Sequence, residues 1–321
     1  MPSEFDIIRE YFNQPGLGAV PGEIVRLGIG DDCALLSVPE DMELALSMDT
    51  LVEKIHFPED APPGLLAWRA LCVNLSDLAA MGAKPAGFTL SLSLPDANAE
   101  WLKLFSAGLK TCAEKYGCPL IGGDTSRGPL VITIQVHGLI PSGMALVRSG
   151  AKSGDRLYVS GSLGSASLAL KMLSGEIEFA AEDTAVVTDA FYKPVPRLNL
   201  GMAARGFASA GIDISDGLLA DLGHICQQST VGAEIHLPSI PVESLLRRSL
   251  EENESLALAL TGGDDYELIL VVPESNIPGL EALAKDVPLT CIGKITADTG
   301  IKCLDKEAKL QSFADTGFQH F

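Results

Sequence analysis

Aspartate recurs beside glycine, serine or threonine in six short clusters of this chain. They are Gly28–Asp32 (GIGDD), Ser47–Thr50 (SMDT), Asn74–Ala83 (NLSDLAAMGA), Gly122–Thr125 (GGDT), Asp213–Leu218 (DISDGL) and Gly262–Glu267 (GGDDYE). One aspartate beside glycine is an ordinary turn signal. Six of them, several following apolar runs, suggest carboxylates gathered at strand ends. Carboxylates held close repel one another unless cations sit between them. Hard oxygen donors in short loops suit magnesium, which takes one or two carboxylates per ion and completes its shell with water and phosphate oxygens. The pattern points to a magnesium-dependent site for a phosphorylated substrate.

Each cluster also has a plain structural explanation. In GGDT the paired glycines let backbone approach a ligand, with Asp124 on a metal and Gly123 on phosphate, but a tight turn capped by aspartate explains them equally. In DISDGL, Asp216 could cap the following helix, which leaves Asp213 without a purpose. SMDTLVEKIHF packs Asp49, Glu53 and His56 into a short stretch, and Ser47 shares the strand face of Asp49. His56 is equally suited to an ordinary loop or core position. Asp77 falls in mid-helix, where it caps locally, faces water or serves a ligand. The P-loop pattern, the protein-kinase signatures, G-x-G-x-x-G and the G-x-S-x-G elbow are all absent from the sequence. Phosphate chemistry would rest on metals, glycine backbones and a few basic side chains, with Arg127 and Arg148 the best placed.

These residues need elements to hold them. The sequence predicts an amphipathic helix at 4–13, strands at 43–48 and 87–94, and between them a helix at 65–81 stopped by Gly82 and Pro85. On that helix Asn74 and Asp77 share a face. A helix at 99–116 and a strand at 130–140 follow. A Gly/Ser/Pro-rich stretch near 141–161 marks a change of domain, giving expected domains of 1–145 and 146–321. In the second, strands are expected at 157–160, 212–214, 233–236, 268–272 and 290–292. Helices are expected at 165–174, 183–191, 197–208, 218–227, 241–252 and 277–285. Mixed elements in both halves argue for an α/β (α+β) protein.

Composition narrows the partners. The 321 residues include 47% hydrophobic and 20% charged side chains, as in a globular protein. A net charge of −19 disfavours nucleic acid, whose binding needs Lys and Arg on phosphates. A small anion remains possible if metal supplies positive charge. Seven scattered cysteines with no C-x-x-C pair argue against zinc or a disulfide framework and for reduced thiols in a cytoplasmic setting. No membrane span or signal segment is expected.

Taken in order, GIGDDCALL, S-x-DTLVE-x-x-HF, NLSDLAAMGA-x-P, GGDT-x-RGP, RSGAK-x-GD, DISDGL-x-x-DLGHI and GG-x-DYEL resemble the thiamine-monophosphate kinase family. That family lies within the superfamily of aminoimidazole ribonucleotide synthetase and selenophosphate synthetase. The resemblance covers nearly the whole chain. It implies ATP-dependent phosphorylation of thiamine monophosphate by direct in-line transfer, with several magnesium ions and with potassium as a candidate further cation. It implies metal positions at Asp32, Ser47, Met48, Asp49, Asp77, Asp124, Asp213 and Asp216, and nucleotide contacts at Gly123, Asp124, Arg148 and Ser215. Substrate contacts are implied at His56, Asp264 and Phe318. Met48 stands where the family often has Thr, and Asp264 where relatives commonly have Glu. The implied architecture is two mixed α/β domains, the N-terminal one pairing strands in a homodimer, with the active site in the interdomain cleft. The alternatives are another ATP-dependent enzyme of the superfamily, or a relative that binds nucleotide and magnesium without turnover.

Overall fold

A computed structural model describes residues 3–283, 285–313 and 317. The chain divides into two compact units, residues 1–78 with 83–143 and residues 79–82 with 144–321.

The first unit opens with α1 (Glu4–Ile7), continued by a π turn at Ile8–Phe12 and capped by the Ser3 side chain. Then come β1 (Val25–Leu27), β2 (Leu35–Leu36), β3 (Met42–Val52), α2 (Pro63–Ala80), β4 (Lys84–Leu94), α3 (Ala99–Tyr116), β5 (Leu120–Arg127) and β6 (Val131–Pro141). β1 and β2 pair with each other; the other four form a sheet in the order β3-β6-β4-β5, parallel only between β4 and β5. Alternation sorts the two faces. Phe88, Leu90 and Leu92 register with Val136, Ile134 and Ile132, all buried, and make the core side with Leu66, Leu71 and Phe105 of the helices. On the other face lie Leu44, Leu46 and Met48 of the edge strand β3, exposed by 39%, 55% and 61%. That face carries no helix-side core, so its apolar residues stay open to water in a single chain. Asn98 caps α3 by accepting from the Trp101 amide at 3.0 Å, and left-handed Gly117 ends it.

The second unit runs through β7 (Arg156–Ser160), α4 (Ser165–Leu173), α5 (Ala181–Tyr192), α6 (Leu198–Ala204), β8 (Ala210–Asp213), α7 (Leu218–Ser229), β9 (Gly232–His236), α8 (Ser244–Ser249), α9 (Glu252–Thr261), β10 (Leu268–Val272), α10 (Ile277–Leu283), β11 (Leu289–Thr296), β12 (Gly300–Leu304) and β13 (Leu310–Gln311). Its seven strands follow the order β13-β12-β9-β11-β7-β10-β8. β10, wholly apolar, is buried along its length between β7 and β8. It forms the core with Leu157, Val159, Ile212, Leu222 and Ile225.

Three local expectations need revision. The GGDT cluster is not a turn but part of β5, paired in parallel with β4. The helix expected at 241–252 is two helices: Leu250 is extended, and the acidic run after it starts α9, where Glu252 and Glu254 meet the positive end of the helix. The helix expected at 197–208 stops at Ala204, before left-handed Gly206. All seven cysteines are free thiols, and five are buried.

Candidate functional site

The first unit holds its acidic residues through a stitch between β3 and α2. On β3, Ser47 and Asp49 alternate with Met48, so both face α2. Ser47 Oγ donates to Asp77 Oδ2 at 2.5 Å. The Asp49 amide donates to Asn74 Oδ1 at 3.0 Å. Asn74, only 1% exposed, uses its other end to donate to the Ala70 carbonyl at 2.9 Å. The shared helix face of Asn74 and Asp77 is therefore the face that grips the strand. The Met48 side chain points the opposite way, into the open apolar face, so only its backbone carbonyl could join a ligand set with its neighbours.

Beyond the end of β3 the chain turns at Lys54, whose φ is +66°. The turn brings His56 back, and its Nδ1 accepts from the Val52 amide at 3.0 Å. An imidazole whose Nδ1 accepts carries its neutral-form proton on Nε2, leaving that atom as a donor.

At the far edge of the sheet, Asp124 registers with Ser91, Ser91 with Thr133, and Thr133 with Thr50. The Thr50 and Thr133 hydroxyls lie 2.9 Å apart, which fixes this row on the open face. Asp124 thus lies on the face opposite Ser47 and Asp49, about 14 Å away across three strand spacings. Gly123, with φ +149°, passes so close to β4 that an added Cβ would sit 1.9 Å from the Leu90 carbonyl oxygen. Asp32, exposed, and Asp124 both border a cavity of about 710 Å³ whose apolar wall includes Phe5 and Phe12. His137 also lines it, and burial holds its imidazole below the usual pKa, neutral at neutral pH.

In the second unit two loops lie side by side. Asp213 ends β8, is 4% exposed, and registers with Leu268. The Asp264 amide donates to the Ser215 carbonyl at 2.8 Å, and the Tyr266 amide to that of Ile214 at 2.8 Å. Asp264 and Tyr266 both adopt left-handed backbone, φ +70° and +51°, a costly choice for side chains of that size. The Tyr266 hydroxyl donates to Asp264 Oδ1 at 3.0 Å. Arg197 grips Glu267 with two arms, Nε at 2.7 Å from Oε2, and Ser160 Oγ donates to the same carboxylate at 2.5 Å. Arg148 is exposed, its carbonyl accepting from Ser229 Oγ at 3.2 Å.

Two further carboxylates, Asp221 and Asp265, hold these loops from behind. Asp221 Oδ2 accepts from the amides of Ser215, Asp216 and Gly217 at 3.0, 3.1 and 3.2 Å. Burial pushes its carboxyl up to about 6, against the lowering effect of those amides. Asp265 accepts from the Gly164 amide at 2.8 Å, at the start of α4, and burial pushes it up to about 8. Sequence reasoning assigned neither residue. The available signal was an acidic residue at 221 set among the apolar Leu218, Leu222 and Ile225 of one helix.

The structure therefore brings Ser47, Asp49 and Asp77 together, and Asp213, Ser215, Asp216 and Asp264 together, while Asp32 and Asp124 share a cavity wall. Phe318 lies outside the described residues. Among the described residues, no three His, Cys, Asp or Glu side chains converge on one point as a metal cage. The acidic side chains remain a donor set of hard oxygen, which fits magnesium with water and phosphate completing its shell and does not fit a soft metal.

The chain matches the AIR synthase related protein N-terminal domain over residues 30–140 and the C-terminal domain of the same kind over residues 152–306. It is 45% identical to the thiamine-monophosphate kinase of Escherichia coli K12, over 99% of this chain and 98% of that protein. Among solved structures, thiamine-monophosphate kinase from Stenotrophomonas maltophilia K279a aligns with a TM-score of 0.82 at 41% identity, covering 87% of this chain and 90% of that one. AaThiL complexed with AMPPCP and TMP aligns with a TM-score of 0.79 at 29% identity, covering 89% of each chain.

Proposed function

The chain belongs to the thiamine-monophosphate kinase family, and we propose on that premise that it phosphorylates thiamine monophosphate with ATP. An oxygen of the thiamine monophosphate phosphate attacks the γ-phosphorus of ATP. The bond to the β-phosphate oxygen breaks, and thiamine diphosphate and ADP leave. The attacking oxygen is already anionic, so transfer is direct and in line and no side chain need remove a proton. The observation that carries this reading is likeness over 99% of the chain to a kinase of that name, joined to a structural neighbour that holds an ATP analogue and TMP.

Bringing two phosphates together concentrates negative charge, and magnesium bound at the acidic residues would supply the neutralisation. We assign Asp32, Ser47, Asp49, Asp77, Asp124, Asp213 and Asp216 to holding it, with the Met48 carbonyl as a further donor. Potassium is a candidate further cation. Gly123, Asp124, Arg148 and Ser215 are assigned to the nucleotide, and the close approach at Gly123 leaves its backbone bare. His56 is assigned to the substrate, as an Nε2–H donor to a phosphate oxygen. Asp264 and Phe318 are assigned to the same substrate.

A homodimer answers the separation of Asp124 from Asp49. The sheet has two edges, β3 and β5, and an open face whose apolar residues are uncovered in one chain. Closing two such sheets edge to edge sets β3 of one copy beside β5 of the other, covers Leu46 and Met48, and brings the partner's Asp124 to about one strand spacing from Asp49, on the other face of the sheet. The acidic surface argues against nucleic acid as a partner. No helix among the described residues is long and apolar enough to cross a membrane; a cytoplasmic setting suits the free thiols.

The test is to incubate the protein with ATP, magnesium and thiamine monophosphate and to quantify thiamine diphosphate. Formation above a no-enzyme control is expected; its absence overturns the assignment. Sedimentation of the unaltered protein and of Leu46→Lys tests the dimer, with dissociation of the variant expected. A wild-type monomer at micromolar concentration would refute it.

A further inference from the structure

We propose that Asp221 is a positioning residue for the reaction: its carboxylate fixes the Ser215–Gly217 backbone and so aims the acidic residues that flank it. The proposal rests on the magnesium-dependent kinase reading above.

The geometry is unusual in its economy. One oxygen, Oδ2, accepts three consecutive amides, those of Ser215, Asp216 and Gly217. Three successive donors aimed at one point constrain all the intervening backbone dihedrals, so the loop has little freedom left to rotate Asp216 or Ser215. Asp221 is 2% exposed and sits in the first part of α7, whose Leu218, Leu222 and Ile225 are locked in the core. The anchor is therefore rigid, and it hands that rigidity to the loop.

A simple helix cap explains less. Capping needs a side-chain acceptor for amides inside the first turn. Here the acceptor sits inside the helix and reaches back to three amides before it. The loop conformation it enforces is also a demanding one. Gly217 has φ +126°, and an added Cβ would lie 2.8 Å from the Thr261 carbonyl oxygen. On the outer side, the Ser215 carbonyl accepts the Asp264 amide. Asp221 thus stands behind one loop that carries nucleotide and metal assignments, and that loop in turn supports the strained Asp264. A group that orients ligands without touching the ion is expected to change metal affinity when it is removed, by about ten- to a hundredfold.

The experiment compares Asp221→Ala, Asp221→Asn and the unaltered protein in two measurements. The first is amide hydrogen exchange of residues 215–217 in metal-free protein. Exchange about tenfold faster is expected in Asp221→Ala, and near wild-type exchange in Asp221→Asn, whose amide oxygen can still accept. The second is the magnesium concentration giving half-maximal thiamine diphosphate formation. It should rise about tenfold or more in Asp221→Ala and recover in Asp221→Asn. Wild-type exchange and a wild-type magnesium midpoint in Asp221→Ala overturn the proposal, as does an Asp221→Asn protein as impaired as Asp221→Ala. A variant that only lost folded protein would lower the rate without moving the midpoint, and this also counts against it. Should Asp221→Ala not fold, Asp221→Glu decides: it keeps the charge but displaces the oxygen, so the midpoint should rise, and an unmoved midpoint refutes the positioning role. Lack of any kinase activity in the unaltered protein would strike the reaction assignment instead and leave the exchange result standing.

Discussion

The two units hold acidic residues in place by opposite means. In the first, all the assigned carboxylates but Asp32 stand on regular elements: Asp49 in the body of β3, Asp77 within α2, Asp124 on β5. Strand and helix meet through short polar bonds, Ser47 to Asp77 and the Asp49 amide to Asn74. In the second, Ser215, Asp216 and Asp264 stand on loops beyond the end of β8; behind them buried Asp221 collects the amides of Ser215–Gly217, and Asp265 ties its own loop to the start of α4. Regular elements position side chains through their period and need little else. Loops need left-handed backbone and dedicated acceptors to reach comparable order. The second arrangement buries carboxyl groups where water is scarce, and their raised pKa values are its signature.

The largest effect should fall on both units equally. Asp49→Asn and Asp216→Asn should each lower turnover by about a thousandfold while leaving the protein folded with little change in melting temperature. Near-normal rates in either variant would remove that unit from metal binding. Next come backbone clashes. Gly123→Ala forces a Cβ against the Leu90 oxygen and should cost about 3 kcal/mol in urea unfolding. Gly217→Ala, with a looser 2.8 Å approach, should cost less. The reverse order would mean that loops, not strands, are the less forgiving scaffold.

Asn74→Ala strands the Asp49 amide and should cost about 2 kcal/mol by the same measurement. A loss under half of that would mean that the stitch is ornamental. The smallest effect is a pH dependence confined to the second unit. Asp265 holds its proton more tightly when folded, about 8 against an ordinary 3.8. The stability this provides is complete below the ordinary value and is lost as pH rises through about 8. Between pH 6 and 7 the unfolding free energy should fall by about 1.4 kcal/mol, and Asp265→Asn should flatten the fall. An unchanged slope in the variant would assign the dependence elsewhere.

Much of the first unit's arrangement was visible in the sequence because period carries it. Alternation placed Ser47 and Asp49 on one face, and the three-residue spacing placed Asn74 and Asp77 on the other side of the same contact. The GGDT strand was hidden because paired glycines look like a turn; only pairing with β4, supplied by residues far along the chain, makes them a strand. The faces that separate Asp124 from Asp49 were hidden for the same reason, since register across four strands is a tertiary fact. In the second unit the short strands and most helices were legible, yet the work of Asp221 and Asp265 was not. A carboxylate's role as an acceptor for loop amides depends on a fold around it, and no local pattern announces it.

The contact between β3 and α2 also predicts where this chain tolerates changes of length. The connection over residues 53–62 joins the two elements but sets the phase of neither. An added residue near Pro58 to Pro62, past the His56 turn, leaves Ser47 and Asp49 on their face and Asn74 and Asp77 on theirs. One added residue between Asn74 and Asp77 turns Asp77 about 100° around the helix axis, away from Ser47. One added residue between Ser47 and Asp49 sends Asp49 to the opposite side of the sheet. Insertions a few positions apart should therefore differ between silence and complete loss, because helix and strand are two gears that mesh at only one setting.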